Sequence, residues 1–405
     1  MKKKNGTYLI FLCWLVYTVA QLGRYSFSAN TTRIIEAFSI SHADAGLPTT
    51  FYFFAYGIGN IVVGLFADRY NKRFSISASL LISVFANASV WLGVPFEYVK
   101  YIWAANGLAQ AHLWPLMLLT LGQHLDTKKM PMAALVMSTA SYGGTFLTYG
   151  VSSLASLLKL DFTFVFAAST FLMLAVGALW FATTKTIDEG IAISAQSAAA
   201  KKKFTAQTIV MLGMLMLFAL LGNAVSGGLK QWVPSILKEN FGLEDWIAIF
   251  MTVALPLISI VTAFISTGVY KLLKSFILSA ALMFVVASLL IPVVIVSLDS
   301  TWIVVMILFI IVYVTMGVTI NQLSVQAPLY LKDNINTGLL AGLLNGACYM
   351  GSALSTYVLG VFADDNGWAG AFNLLFMLTF IGAIIAFAYF FFGKVSSKKT
   401  NDKAE

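Results

Sequence analysis

Long apolar stretches separated by short polar connections run through almost the whole chain. A helix needs about 20 mostly apolar residues to cross the hydrocarbon core of a bilayer, and the pattern offers twelve such stretches. We therefore predict an all-α membrane protein with twelve transmembrane helices, called spans 1 to 12. Their predicted limits are residues 7–35, 44–67, 74–94, 99–123, 131–158, 162–184, 206–237, 244–270, 275–297, 301–330, 337–362 and 368–392.

The longest polar interruption, residues 185–205, separates six spans from six and ends in a run of lysines, a composition typical of a flexible cytoplasmic linker. We predict an N-terminal six-helix bundle over residues 1–184 and a C-terminal six-helix bundle with a short tail over residues 206–405. A weak repeat aligns residues 134–147 of span 5 with residues 341–354 of span 11. Such a repeat is expected when two six-helix halves are related by an axis normal to the membrane.

Composition and charge agree with a membrane protein. Only 10% of the residues are charged, against about 25% in soluble domains. With the N-terminus inside, nineteen of the 25 lysines and arginines fall on inside segments and four on outside ones. The positive-inside rule then predicts a multi-pass protein of the cytoplasmic (inner) membrane with both termini in the cytoplasm. This distribution accounts for the net charge of +8 without a nucleic-acid partner.

Two basic side chains lie inside predicted spans: Arg24 in span 1 and Lys230 in span 7, which an offset of 206 superimposes. A charge at that depth costs about 2.5–3.5 kcal/mol on insertion scales. Tyr17, Gln21 and Arg24 are spaced i, i+4 and i+7, so they share one helix face. We interpret this face as the wall of a water-filled path where Arg24 binds an anion. The alternative is that Arg24 reaches a lipid headgroup or pairs with a buried carboxylate.

Acidic residues are missing from the predicted membrane interior, because all seventeen carboxylates fall in tails, loops or span ends. An intramembrane salt bridge is therefore less expected. Two cations facing one cavity repel each other, and a bound anion relieves that repulsion. His112 in span 4 is the one titratable candidate at predicted mid-depth for a proton-coupled mechanism. The lack of acids favours anion exchange over proton symport.

Further polar and aromatic residues within the spans are candidates for lining the same path, although each could instead form a hydrogen bond between helices. They are Gln110, Trp114, Tyr142, Asn321, Gln322, Asn345 and Tyr349. The aromatic run at residues 51–54 is interpreted as lipid-facing or packing, and glycines such as Gly143 and Gly144 as sites of close helix packing. The phosphate-binding loop of ATPases is absent. We expect a transporter rather than an enzyme, with no cofactor and no metal site.

Residues 64–73, GLFADRYNKR, follow span 2. This segment resembles the loop between helices 2 and 3 of the major facilitator superfamily. The resemblance implies two pseudo-symmetric six-helix bundles and a cytoplasmic latch formed by Asp68, Arg69 and Arg73, which breaks when the halves rock. The corresponding loop after span 8 lacks the acid.

Within that superfamily the chain resembles the organophosphate:phosphate antiporters, the carriers of glycerol 3-phosphate and hexose phosphates. The resemblance rests on GRYSF at 23–27, AYGI at 55–58 leading into ADRYNKR at 67–73, QAHLWP at 110–115 and WVPSILKE at 232–239. It implies Arg24 as a substrate-binding arginine. The family's second arginine corresponds to Ser226, with Lys230 one turn later. The family's span-5 histidine corresponds to Ala140, and the tyrosine one turn before the first arginine corresponds to Gln21.

The favoured hypothesis is a monomeric secondary transporter that exchanges a small organic anion, an organophosphate, for inorganic phosphate by alternating access. Arg24 and Lys230 would bind the anion from opposite halves. One alternative is a proton-coupled carboxylate symporter in which His112 titrates. Another, of a different class, is a membrane sensor that binds the metabolite without transporting it.

Overall fold

The computed structural model describes residues 6–66, 69–188, 205–331 and 337–401. Within these ranges the chain forms helices joined by short connections, with no β-strand. The prediction of an all-α protein with twelve spans is confirmed. The helices are Gly6–Ala29 and Thr31–Phe38 (span 1), His42–Phe66 (2), Lys72–Trp91 (3), Phe96–Gln110 and Leu113–His124 (4), Met130–Leu157 (5), Thr163–Thr183 (6), Ala206–Phe241 (7), Asp245–Thr252 and Ala254–Leu273 (8), Phe276–Ser297 (9), Trp302–Asn321, Gln322–Gln326 and Ala327–Tyr330 (10), and Thr337–Asn401 (11 and 12).

Eight helical stretches among the described residues are long and apolar enough to cross a membrane. One of them, Leu339–Phe391, contains both span 11 and span 12. Its two parts meet at Gly367, whose backbone leaves the helical region with φ 65° and ψ −178°. Only glycine adopts this conformation readily, because it has no Cβ. Gly367 therefore marks the turn that the hydropathy pattern predicts between residues 362 and 368.

Prolines account for interruptions that the apolar pattern does not predict. Span 4 breaks at His112, three residues before Pro115, and span 8 breaks at Val253, three residues before Pro256. In span 10 the π-helical turn lies just before Pro328. A proline lacks the backbone N–H, and its ring clashes with the carbonyl four residues earlier. Because apolar residues continue across each break, hydropathy alone predicts unbroken spans there.

Contacts divide the chain into two units, each described here by itself. The first contains Met1–Lys202 and Gln231–Leu257, and the second contains Lys203–Lys230 and Ile258–Glu405. Residues 231–257, which the sequence analysis assigns to the C-terminal bundle, thus belong to the first unit by their contacts.

Polar bonds hold residues 231–257 within the first unit. The Gln231 amide donates to the Thr31 hydroxyl at 2.9 Å, and Lys238 donates to Glu36. These two bonds join the last third of span 7 to the second helix of span 1, a pairing that hydropathy does not encode. Lys238 also forms an ion pair at 2.9 Å with Asp245, at the start of span 8.

Close backbone contacts at glycine recur in both units. A Cβ built on Gly144 of span 5 would lie 2.6 Å from the carbonyl oxygen of Thr18 in span 1. A Cβ built on Gly351 of span 11 would lie 2.1 Å from the carbonyl oxygen of Leu220 in span 7. Gly144 and Gly351 correspond in the weak repeat. Each unit therefore uses a glycine at the same place to bring two helices together.

Candidate substrate site

Arg24 is buried in span 1 and surrounded by aromatic rings. Its side chain is 4% exposed. The guanidinium carbon lies 4.2 Å from the ring centroid of Tyr56, 5.2 Å from Tyr25, 5.4 Å from Tyr52 and 5.5 Å from Phe53. Three of these rings come from one face of span 2. We call the four rings the aromatic box.

The aromatic box offsets part of the cost of burying a permanent charge. A guanidinium stays protonated at physiological pH, so burial cannot neutralise it. Cation–π contacts contribute about 0.5–2 kcal/mol each, more when the pair is desolvated. Tyr56, whose ring centroid is 4.2 Å from the guanidinium carbon, also carries a hydroxyl group that can donate a hydrogen bond to an anion. The box therefore holds a cation beside a hydroxyl donor, an arrangement suited to binding an anionic group.

A buried amide in span 4 fixes the ring of Tyr52. The Tyr52 hydroxyl donates to the Gln110 side-chain oxygen at 2.9 Å. The Gln110 amide nitrogen lies within hydrogen-bonding distance of the Ala20 carbonyl at 3.2 Å, the Ser83 hydroxyl at 3.1 Å and the Asn106 side-chain oxygen at 3.2 Å. Gln110 thus ties span 2 to the backbone of span 1 one turn before Arg24.

Two asparagines bind the backbone of span 1 at Gly23, three residues after Ala20. The amide nitrogens of Asn87 and Asn106 both donate to the Gly23 carbonyl, at 3.1 and 3.2 Å. Asn87, Asn106 and Gly23 are all buried. The carbonyl next to Arg24 is therefore fixed by side chains from spans 3 and 4.

The aromatic box is not predicted from the sequence. The interpretation of residues 51–54 as lipid-facing or packing fits Phe54, which is 51% exposed, but not Tyr52, which is 1% exposed and lies against Arg24. The available signal was the i, i+4 spacing of Tyr52 and Tyr56, two tyrosines on the same helix face. Gln110, which was predicted as a pocket residue, instead accepts the hydrogen bond that fixes the Tyr52 ring of the box.

Tyr17 and Gln21 occupy different surroundings along span 1. Tyr17 is buried, with its ring centroid 4.8 Å from that of Trp114 in span 4. Gln21 packs at Gly144 of span 5, and its backbone oxygen accepts from the Thr148 hydroxyl at 3.3 Å. Its buried side-chain oxygen has no hydrogen-bond partner among the described residues. Gln21 therefore retains an acceptor that a protonated ligand group could use.

His112 lies at the break in span 4. Its Nδ1 is 3.1 Å from the Leu108 carbonyl oxygen, and its ring is edge-on to Tyr70 at 5.0 Å between centroids. Tyr70 belongs to the connection between spans 2 and 3. His112 thus contacts both its own span and that connection. Tyr142 in span 5 is half-buried.

The second unit contains the remaining predicted site residues. Lys230, Asn345 and Tyr349 are half-buried. The Gln322 amide donates to the Ser266 carbonyl at 3.0 Å, a helix–helix bond of the kind that the sequence analysis weighed as the alternative. Asn321 and Gln322 form the junction with a π-helical turn. Such turns free backbone groups and occur often at functional sites.

Asn223 joins two helices of the second unit. Its amide donates to the Cys348 carbonyl at 2.7 Å and the Ser352 hydroxyl at 2.8 Å. The 206-residue offset equates Asn223 with Tyr17, so the two related positions make different contacts.

The predicted latch is described in part. Asp68 lies outside the described residues. Arg69 is exposed beside the Phe66 ring. Arg73 donates through Nε to the Phe181 carbonyl at 3.0 Å. The acid that meets this helix start is Asp188, which the sequence analysis did not select.

Asp188 caps the N-terminus of span 3. Its two carboxylate oxygens accept from the backbone N–H groups of Lys72 at 3.0 Å and Arg73 at 3.1 Å. The Lys72 ammonium lies 3.4 Å away. A carboxylate at a helix N-terminus satisfies unpaired N–H groups and interacts favourably with the helix dipole. Asp188 therefore joins the end of span 6 to the start of span 3.

Replacing Gln110 by leucine is expected to raise the substrate concentration for half-maximal transport about five- to tenfold, with little change in the maximal rate. The hydroxyl of Tyr52 would lose its acceptor, so the box would hold Arg24 less well. Tyr52→Phe should have a similar effect on half-saturation, and the double variant should add little, because both changes remove the hydrogen bond between Tyr52 and Gln110. Transport kinetics in vesicles measure this.

The matched control is Gln326→Leu in the second unit. This change also removes a side-chain amide, which donates to the Ser266 hydroxyl at 3.1 Å. Gln326 is far in sequence from the residues of the aromatic box. It should lower thermal stability without changing half-saturation. Equal half-saturation in Gln110→Leu and the unaltered protein would show that Gln110 has no positioning role.

Comparisons with known proteins agree with this architecture. Residues 13–331 match the model of the Major Facilitator Superfamily. A solved bacterial homolog of the human lysosomal transporter Spinster, in an inward-facing and occupied conformation, has a TM-score of 0.77 and 16% identity, covering 97% of this chain and 98% of that one. At that identity the likeness concerns the fold.

Relatives among characterised proteins match over short stretches. The membrane sensor protein UhpC of Salmonella typhimurium is 25% identical over 103 residues, which are 25% of this chain and 23% of that protein. Sugar phosphate exchanger 3 of Xenopus laevis is 26% identical over 143 residues, 34% of this chain and 28% of that protein. This chain therefore spans only about a quarter of the length of the relatives it matches. Since the superfamily model covers most of the chain and the twelve-span fold is present, the chain belongs to the Major Facilitator Superfamily of secondary transporters.

Proposed function

We propose that this transporter carries a small organic anion, an organophosphate, in exchange for inorganic phosphate. The observation that carries the proposal is the aromatic box: a permanent cation, 4% exposed, held against rings with hydroxyl groups. A phosphate group accepts charge-assisted hydrogen bonds from a guanidinium in a bidentate arrangement. Binding such an anion would place an opposite charge beside the buried guanidinium of Arg24.

Lys230 is the proposed second cation, contributed by the C-terminal half. The offset of 206 equates it with Arg24. A lysine binds phosphate or carboxylate as a point charge, without the bidentate geometry of arginine. When both cations bind one anion, the two halves can close around it, and the inward–outward equilibrium shifts. Gln21, Tyr142, Asn321, Asn345 and Tyr349 are proposed to complete the site.

The distribution of acids supports an exchanger. Every described carboxylate lies in a connection or near a helix end, none in the middle of a span. The proton-coupled alternative requires a titrating group on the path, and the ring of His112, the candidate for that role, packs against Tyr70 in the connection between spans 2 and 3. The partial relative named as a sugar phosphate exchanger supports the same substrate class. We place the protein as a monomer in the cytoplasmic membrane with both termini inside.

Thermal unfolding of the purified protein tests the substrate class. A ligand at 100 times its dissociation constant stabilises the folded state by about 2.7 kcal/mol. We expect inorganic phosphate and a phosphoester such as glycerol 3-phosphate to raise the melting temperature by several degrees, and succinate to raise it less. Lys230→Gln should lose most of this stabilisation.

Lys100→Gln is the matched control, because Lys100 lies in the second turn of span 4 beside Tyr101. It should respond to phosphate like the unaltered protein. Stabilisation by succinate but not by phosphate, in the same assay, would reject the organophosphate proposal in favour of a carboxylate carrier.

A second candidate is a sensor that binds the anion without transporting it, because one matched relative is named a membrane sensor protein. The two candidates predict the same thermal stabilisation. They differ in flux: a sensor would bind phosphate and yet give no exchange in vesicles.

A further inference from the structure

An apolar groove lies between spans 3 and 6 of the first unit. Its volume is about 410 Å³. Span 3 contributes Phe74, Leu81 and Val84, and span 6 contributes Leu174 and Phe181. The candidate substrate site does not include these residues.

The groove is about as long as one leaflet is deep. Ten residues separate Phe74 from Val84, which corresponds to about 15 Å along a helix. This is half of a hydrocarbon core about 30 Å thick. The groove begins where span 3 starts and span 6 ends, and Phe74 and Leu174 on its walls are 58% and 49% exposed. It therefore opens sideways, as a groove for a bilayer acyl chain must.

Arg73 stands at the mouth of the groove. Its guanidinium carbon lies 4.0 Å from the ring centroid of Phe181, and its Nε donates to the carbonyl oxygen of the same residue. Arg73 is therefore held at the headgroup end by a residue that lines the groove. Four further N–H donors of the guanidinium can meet an anion there.

Asp188, in the connection after span 6, meets the start of span 3. Its oxygens accept from the backbone N–H groups of Lys72 and Arg73, and it forms an ion pair with the Lys72 ammonium at 3.4 Å. Among the described residues, no ion pair forms with the guanidinium of Arg73. The mouth of the groove therefore keeps the positive charge of Arg73.

We propose that this groove binds an acyl chain of an anionic glycerophospholipid, with the lipid phosphate against Arg73. Three features support this site: an apolar groove of leaflet depth, an opening toward lipid, and an arginine at headgroup level. Basic pockets between membrane helices on the cytoplasmic side bind anionic headgroups. The lysine and arginine counts predict that this end of spans 3 and 6 faces the cytoplasm. The proposal does not depend on which anion the protein transports.

Native mass spectrometry of the purified protein with phosphatidylglycerol or phosphatidylcholine tests the site. We expect one phosphatidylglycerol to be retained about fivefold more strongly than phosphatidylcholine, the factor that one basic side chain supplies near an anionic surface. Arg73→Gln should remove this preference. Ala178→Phe should abolish retention of both lipids, because Ala178 is an exposed groove residue and a phenyl ring would fill the space.

Two matched controls should behave like the unaltered protein. Ala175→Phe adds the same ring at an exposed position of span 6 outside the groove, and Lys271→Gln removes a basic charge from the last turn of span 8. Millimolar inorganic phosphate should not displace the retained lipid. Equal retention of the two lipids by the unaltered protein, or undiminished retention by Ala178→Phe, would overturn the proposal. Since Ala178→Phe leaves Arg73 unchanged, the test stands even if Arg73→Gln fails to fold.

Discussion

Arg24→Gln is expected to reduce phosphate exchange about 100-fold in reconstituted vesicles. A hydrogen bond to a charged group contributes about 1.5–3 kcal/mol, and removing the charge of Arg24 would take away the main attraction for an anion in the first unit. Arg24→Lys should retain part of the activity, since a lysine keeps the charge but lacks the fork that matches phosphate. Initial rates of labelled phosphate entry measure both.

Arg33→Gln is the matched control for this experiment. Arg33 also belongs to span 1, but its guanidinium donates to the Leu160 carbonyl in the connection between spans 5 and 6. We expect Arg33→Gln to keep exchange within about twofold. Unchanged exchange in Arg24→Gln would remove Arg24 from the transport mechanism.

Gly144→Ala is expected to destabilise the folded protein by about 3 kcal/mol. Its Cβ would lie 2.6 Å from the Thr18 carbonyl oxygen and 2.6 Å from the Gln21 Cβ, so spans 1 and 5 would have to separate. Overpacking of this kind costs about 1–3 kcal/mol and occasionally more when it strikes backbone. A melting temperature lower by several degrees, with weaker exchange because Gln21 and Arg24 share the displaced helix, is the expected result.

The adjacent glycine supplies the control. A Cβ built on Gly143 meets nothing within 4 Å, so Gly143→Ala should leave the melting temperature and the exchange rate nearly unchanged. Equal melting temperatures for the two variants would show that spans 1 and 5 do not pack closely at Gly144.

The sequence predicts the spans well, because a run of about 20 apolar residues is typical of a transmembrane helix and of few other structures. It also selects Arg24, since a charge in an apolar run stands out. It does not select the aromatic box. Tyr52 and Phe54 look alike in an apolar span, yet one faces Arg24 and the other is half-exposed. Only the packing of span 2 distinguishes them.

Long-range polar pairings were equally hidden from the sequence. Asp188 lies in a polar connection, and nothing in its neighbourhood indicates that it caps a helix more than 100 residues earlier. The bond from Gln231 to Thr31 is of the same kind, and it places part of spans 7 and 8 with the first unit. The break in span 4 at His112 was hidden as well, because hydropathy continues across it although Pro115 follows three residues later.

Phosphate–phosphate counterflow in proteoliposomes tests the central claim most directly. Vesicles loaded with unlabelled phosphate and diluted into labelled phosphate should accumulate label transiently without any pH gradient, and Arg24→Gln vesicles should not. Absence of counterflow, with uptake of a carboxylate that follows an imposed pH gradient, would contradict an organophosphate exchanger.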